Sequence, residues 1–298
     1  MSGHGLRRLP YHRPRSIAEA LEVYGSTEGA RFIAGGTDLL VRIKDGRERP
    51  SALVSLRGIE ELRAITMDGG ETTIGGETTI GAQATLTEIA THPAVRERYP
   101  VLCEAVSTIA SVQIRNVATL GGNLCRASPC ADGAPPLIVL GARVRVTGGA
   151  GSREIPVEEL FTGPGQTRLE PGELLTSIVL APVEQPLRGA YLKQGRVRID
   201  LAFASIAAQL RLGADGETCE KARIAAGAVA PTPVRLSKVE ELLVGERITP
   251  ELLDRAYEIA RDEVRPITDV RATADHRRHI SGVLCRRAVE RIVGWRAA

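Results

Sequence analysis

Two short glycine runs carry the densest chemistry in this 298-residue chain. The first is Phe32-Ile33-Ala34-Gly35-Gly36-Thr37-Asp38-Leu39, at the end of a short apolar stretch. Glycines leave backbone amides uncovered and accept crowded or left-handed conformations, and the Thr37 hydroxyl adds a donor, so the run has the physics of a diphosphate cradle. It has neither the GxGxxG pattern nor a GKS/T ending, and an ordinary tight turn between strands is the competing reading. The second run, Thr119-Leu120-Gly121-Gly122-Asn123, reads as a polar turn of the same character, with Asn123 able to donate and accept. Two such loops in one domain could hold an extended anionic dinucleotide from both sides.

Other groups are weaker signals. Asp132 could accept from a ligand hydroxyl, or could be a solvated or helix-capping aspartate beside Gly133 and Pro135. Lys193 stands in a polar cluster with Tyr191, Arg196 and Arg198, where reaching a cofactor and forming a surface salt bridge are equally open. The five cysteines, Cys103, Cys125, Cys130, Cys219 and Cys285, include no CxxC pair, which points to a reducing compartment rather than a disulfide framework or zinc knuckle. His276 and His279 read as part of an exposed basic cluster on a helix, and the histidines form no HExxH motif. No GxSxG elbow or paired-carboxylate arrangement supplies hydrolytic chemistry.

The elements that must position these groups follow from periodicity. Ile17, Ala20, Leu21 and Tyr24 recur at helical spacing behind Ser16, and residues 30–34 and 52–56 read as strands. Thr72, Ile74, Thr78, Ile80 and Ala82 alternate across glycines as short strands do. A helix is expected over residues 100–111, a buried segment over 137–140 and a strand over 143–146. Beyond a composition change at residues 182–186, taken as the domain boundary, residues 201–210 and 219–228 read as strand partners across the Asp215-Gly216 turn. Helices are expected over 252–260 and in the tail from Arg271, where seven arginines face Asp275 and Glu290.

A net charge of +3, three Phe and one Trp argue against a nucleic-acid partner, which would need basic surface and stacking platforms. No apolar run approaches the 18 or so residues that membrane insertion requires. A cytoplasmic location is expected.

Taken in order, the motifs AGGTDL (34–39), QIRNVATLGGN (113–123), ASPCAD (127–132), YLKQGRVRIDLAFASIAA (191–208) and HRRHISGVLCRRAVER (276–291) are specific. Over essentially its whole length, the chain resembles the flavin subunits of the multisubunit molybdenum hydroxylases. That group includes carbon monoxide dehydrogenase medium subunits and the flavin domain of xanthine dehydrogenase. The resemblance implies an α+β protein: a vanillyl-alcohol-oxidase-type FAD-binding domain of two α/β subdomains over residues 1–180, then a smaller domain of antiparallel strands and helices over 181–298. It assigns the FAD cradle to residues 32–39 and 119–123, polar cofactor contacts to Asp132, the isoalloxazine neighbourhood to Ile109, and further flavin contacts to Leu175 and Lys193. Ile109 stands where eukaryotic xanthine enzymes carry an aromatic, so stacking on the ring becomes aliphatic packing. The cysteine-bearing insertion of benzoyl-CoA-type relatives is missing, which speaks against an extra iron-sulfur cluster.

The implied role is electron relay. A molybdenum-pterin centre on a large subunit and two 2Fe-2S clusters on a small subunit would feed FAD here, in a dimer of heterotrimers, with NAD or a quinone-linked carrier as acceptor. No catalytic residue and no metal ligand is expected on this chain. A self-contained flavin oxidoreductase and a non-catalytic assembly subunit are the alternatives.

Overall fold

The computed structural model describes residues 8–68, 76–182 and 188–295; Thr72, Ile74 and the segment 183–187 lie outside the described residues. The chain opens with β1 (Tyr11–His12), α1 (Ile17–Ser26), β2 (Arg31–Ile33), α2 (Leu39–Lys44) and β3 (Leu53–Ser55), whose strands form a parallel sheet in the order β1-β3-β2. The Ser16 hydroxyl accepts the Glu19 N–H to start α1, and Ala20 on its inner face meets Ala52, Val54 and Leu62 in a small core of its own. Residues 39–44 keep their apolar pattern as helix α2.

The second unit comprises β4 (Ile65–Met67), β5 (Thr78–Gly81), α3 (Leu86–Thr91), α4 (Pro93–Arg98), α5 (Pro100–Ser107), α6 (Val112–Arg115), α7 (Leu120–Arg126) and α8 (Ala134–Val139). It continues through β6 (Arg143–Gly148), β7 (Gly151–Pro156), α9 (Val157–Leu160), β8 (Phe161–Gly163), β9 (Gln166–Thr167) and β10 (Leu174–Leu180). An antiparallel sheet in the order β4-β5-β10-β6-β7 forms its floor. Central β10 is buried at all seven positions, as an apolar run covered on both faces must be. Two expectations shift here. Helix α5 stops at Ser107 rather than 111, because the chain turns through Ala110 at φ +47°. The segment 119–123 is the start of helix α7 and not a turn: Thr119 caps it by accepting the Gly122 N–H at 3.1 Å.

The C-terminal part consists of β11 (Arg188–Gln194), β12 (Ala204–Leu212), β13 (Cys219–Gly227), β14 (Val234–Arg235), α10 (Ser237–Leu243), α11 (Pro250–Glu263) and α12 (Ala274–Ile292). In its antiparallel sheet, β11-β12-β13-β14, the central strands β12 and β13 are buried on both faces over most of their length. Strand alternation sends Ala190, Ile206, Ala208, Ile224 and Ala226 into a core shared with α10, α11 and α12. The opposite face presents Tyr191, Ala207 and Ala225, mutually in register, to the core of the second unit. The architecture is α+β: two α/β units followed by antiparallel strands and helices. The tail is not an open basic face. Arg277 is buried, Arg278 pairs with Asp275, Arg286 with Asp254 and Glu290, and Arg291 with Glu104. No helix among the described residues is long and apolar enough to cross a membrane.

Candidate functional site

A cleft of about 760 Å³ runs between the two N-terminal units and reaches β11 of the C-terminal sheet. That volume lies inside the range of about 300–1,000 Å³ that small-molecule and cofactor sites occupy. One wall is the segment leaving β2. Gly35 passes so close to the Val117 carbonyl that an ideal Cβ would lie 2.1 Å from its oxygen, and Gly36 has φ +73°. Only glycine permits this pair of conditions, and the result brings the segment directly against the chain entering α7. The backbone N–H groups of Gly35, Gly36, Thr37 and Asp38 find no acceptor among the described residues. Asp38 and Arg126, 2.9 Å apart, tie the segment after β2 to helix α7 at the rim of the cleft.

The other wall is the first turn of α7. Gly121 sits against Ala82, whose carbonyl oxygen an added Cβ would approach to 2.7 Å, which explains a helix-breaking residue inside a helix. Asn123 turns its side chain inward and accepts the Gly133 N–H at 3.3 Å, fixing the loop that carries Asp132.

Asp132 is neither solvated nor a helix cap. Its Oδ1 accepts the Tyr191 hydroxyl at 2.6 Å, and its Oδ2 faces the Lys193 ammonium at 2.7 Å, with side chains only 5% and 7% exposed for Asp132 and Lys193. Burial pushes the Asp132 pKa up, opposed by the Lys193 charge and by both hydrogen bonds. Burial and the neighbouring carboxylate hold Tyr191 far above the ordinary phenol range. Lys193 also donates to the Thr108 carbonyl at 3.2 Å, beside the left-handed bend at Ala110. The Lys193 salt bridge is therefore buried at the cleft and not on the surface.

Of the residues singled out from the sequence, Phe32, Ile33, Ala34, Gly35, Gly36, Thr37, Asp38, Leu39, Ile109, Thr119, Gly121, Gly122, Asn123, Asp132, Leu175 and Lys193 all line this cleft. Leu120 does not: its side chain is wholly buried in the core of the second unit. Sequence reasoning missed Arg126, Ala118, Cys125, Cys130 and Leu201, which also line it. Arg126 and Cys125 fall within one turn of the glycine pair on α7, a spacing that could have flagged them; Leu201 carries no such signal. The five cysteines are unpaired, and no cluster of metal-ligating side chains occurs among the described residues.

Two glycine-dependent walls, amides without acceptors among the described residues and a buried lysine at one end give the cleft the chemistry to take an extended anionic ligand. Residues 5–182 match the family described as the FAD binding domain in molybdopterin dehydrogenase, and residues 189–292 match the CO dehydrogenase flavoprotein C-terminal domain. The chain belongs to this family of FAD-binding subunits of molybdenum-containing oxidoreductases. It is 36% identical over 283 residues to the carbon monoxide dehydrogenase medium chain of Afipia carboxidovorans, covering 94% of this chain and 95% of that one. It is 30% identical over 286 residues to the putative xanthine dehydrogenase FAD-binding subunit of Escherichia coli K12, with 95% of each covered. Among solved structures, a chain of the Cu,Mo-CO dehydrogenase in its cyanide-inactivated form superimposes with a TM-score of 0.89 at 34% identity, over 96% of this chain and 97% of that one.

Proposed function

We propose that the chain is the electron-transfer flavin subunit of a heteromeric molybdenum hydroxylase, taking electrons from 2Fe-2S clusters on a small subunit and delivering them to an external acceptor. The observation that carries this reading is the row of unpaired N–H groups at 35–38 inside a cleft that ends at Lys193. Bare amides favour anionic oxygens such as a diphosphate, and a buried ammonium favours negative charge at the far end. These residues fit FAD. When bound, FAD supplies the exchange between single-electron donors and a two-electron acceptor.

The chain's own work is binding and orientation. Gly35, Gly36, Thr37 and Asp38 offer main-chain donors; Gly121, Gly122 and Asn123 form the facing wall; Ile109 and Leu175 supply apolar contact; Lys193 holds positive charge where water is excluded. Asp132 keeps that charge in place rather than serving as a general base, since both its oxygens are engaged. This disfavours a self-contained oxidoreductase. Residues 1–180 would form the cofactor domain and 181–298 the domain that closes it. The medium chains among its relatives support partners on separate large and small subunits; in this reading those carry the molybdenum-pterin and the iron-sulfur clusters, the assembly is a dimer of heterotrimers, and NAD or a quinone-linked carrier is the acceptor. Unpaired cysteines support a cytoplasmic setting.

Reconstituting the chain with FAD, desalting it and recording its visible spectrum tests the reading. One FAD per chain, with a flavin band near about 450 nm, is expected for a single flavin site. A folded but colourless protein would favour the assembly-subunit alternative.

A further inference from the structure

Tyr191 and Lys193 are two residues apart on β11, so they leave the same face of the strand and point toward the cofactor cleft. Only Lys193 lines that cleft; Tyr191 lies behind it, fully buried among the core of the second unit. Both meet one carboxylate. The Tyr191 hydroxyl takes Oδ1 of Asp132 at 2.6 Å and the Lys193 ammonium takes Oδ2 at 2.7 Å. The Tyr191 main-chain N–H is itself fixed by the Glu104 carboxylate at 2.9 Å, which gives the phenol a rigid base. A lysine head on four flexible carbons needs a defined partner to hold one position, and a carboxylate with two free oxygens offers two.

We propose that Tyr191 is a positioning residue of the cofactor site: by filling one oxygen of Asp132 it fixes the Lys193 ammonium on the other, beside the 108–110 bend of the cleft. The phenol also donates to this buried carboxylate, adding to the larger effect of the Lys193 charge in favouring its ionised form. Nothing in this role requires Tyr191 to touch the cofactor. The inference rests on the FAD reading of the cleft.

The test uses the full chain loaded with FAD, in four forms: wild type, Tyr191→Phe, Lys193→Met and the double variant. FAD affinity is read from quenching of flavin fluorescence, the midpoint potential of the bound flavin from a dye-coupled reductive titration, and apoprotein stability from thermal unfolding. Lys193→Met should raise the dissociation constant by about tenfold or more and lower the potential, because a nearby cation favours the reduced flavin. Tyr191→Phe should move both in the same direction by less, and should add nothing in the Lys193→Met background, the signature of acting through that lysine. Asp132→Asn, which keeps the side-chain shape but frees Lys193, should weaken FAD binding at least as much as Tyr191→Phe and stands in if that variant fails to fold; affinity alone is its readout, because removing an anion beside Lys193 itself raises the potential. A Tyr191→Phe chain with wild-type affinity and potential, or one whose effect persists undiminished without Lys193, overturns the inference alone. A wild-type chain that binds no FAD overturns the reading of the cleft, and the inference with it.

Discussion

Gly35 shows how a single missing side chain builds the site. With an ideal Cβ 2.1 Å from the Val117 oxygen and 2.8 Å from its carbon, Gly35→Ala forces one cradle wall off the other, since both colliding atoms are backbone. Overpacking of this kind costs about 1–3 kcal/mol, and the displacement falls on the amides proposed to hold the cofactor. Gly35→Ala should therefore lose FAD affinity by more than its drop in Tm alone would imply. Gly149→Ala, where nothing lies within 4 Å of the new methyl, should change neither. Wild-type FAD affinity in Gly35→Ala, measured by fluorescence titration, would sink the argument. A second residue reports on the far hairpin. Asp215 accepts the Thr218 hydroxyl and the Thr218 and Glu217 N–H groups, the latter two at 2.9 and 3.0 Å, which together pull its pKa down to about 2, the hydroxyl most. A carboxyl depressed by folding stabilises the native state above its ordinary pKa, and that contribution disappears as pH falls through the folded value. A carboxyl-detected NMR titration should find Asp215 still ionised at pH 3; a midpoint near 3.8 would mean the turn bonds do not persist in solution.

At the scale of elements, α12 acts as a strut through one buried side chain. Arg277, 2% exposed, donates to the carbonyls of Phe203 and Ala228 at 2.8 and 3.0 Å and pairs with Asp269 at 2.8 Å. It thereby joins the start of β12 to the end of β13, where Ala228 is left-handed and donates to Pro129 on the loop leading to Asp132. Arg277→Met leaves the Phe203 and Ala228 carbonyls without this donor, at about 1–3 kcal/mol for each buried acceptor left unsatisfied, while Asp269 keeps its bonds from the Arg271 and Ala272 N–H groups. A Tm lower by roughly 5–10 °C is expected, together with weaker FAD binding; a scan showing an unchanged Tm would refute this role. Elements governed by local pattern were readable in advance: α1 from its spacing and Ser16 cap, the β12–β13 hairpin from Asp215-Gly216, and both glycine walls as parts of one site. Elements decided by distant atoms were not. Residues 119–123 look like a turn because two glycines oppose a helix, yet the close approach of Ala82 demands small residues there. Asp132 looks solvated because its partners lie 59 and 61 residues away. The tail looks openly basic because Asp254 and Glu104 come from other parts of the chain.

The whole molecule closes the cleft by making the C-terminal sheet part of the N-terminal core. Tyr191, Ala207 and Ala225 share one cluster with Val101, Leu102, Leu137 and Ile138, and the alanines let helices α5 and α8 lie close on the sheet. Charges cross the same boundary: Glu104 takes the Tyr191 N–H and pairs with Arg291, while Glu158 faces Arg223 and Arg235 at 3.8 and 3.6 Å. Residues 1–182 made alone would expose that apolar face to water and leave Asp132 without Tyr191 and Lys193. Exposed contiguous apolar surface binds hydrophobic dyes, and a site without Lys193 loses the cation proposed at the far end of the cofactor. The fragment should therefore bind such a dye strongly and retain little FAD, and adding residues 188–298 in trans should quench the dye signal and restore flavin binding together. The two signals must move in parallel, because α5 and α8 are covered by β11, β12 and β13 of the same sheet whose first strand delivers Lys193. A fragment 1–182 that holds FAD as tightly as the full chain would show that the first two units complete the site without the sheet, and would remove Tyr191 and Lys193 from it.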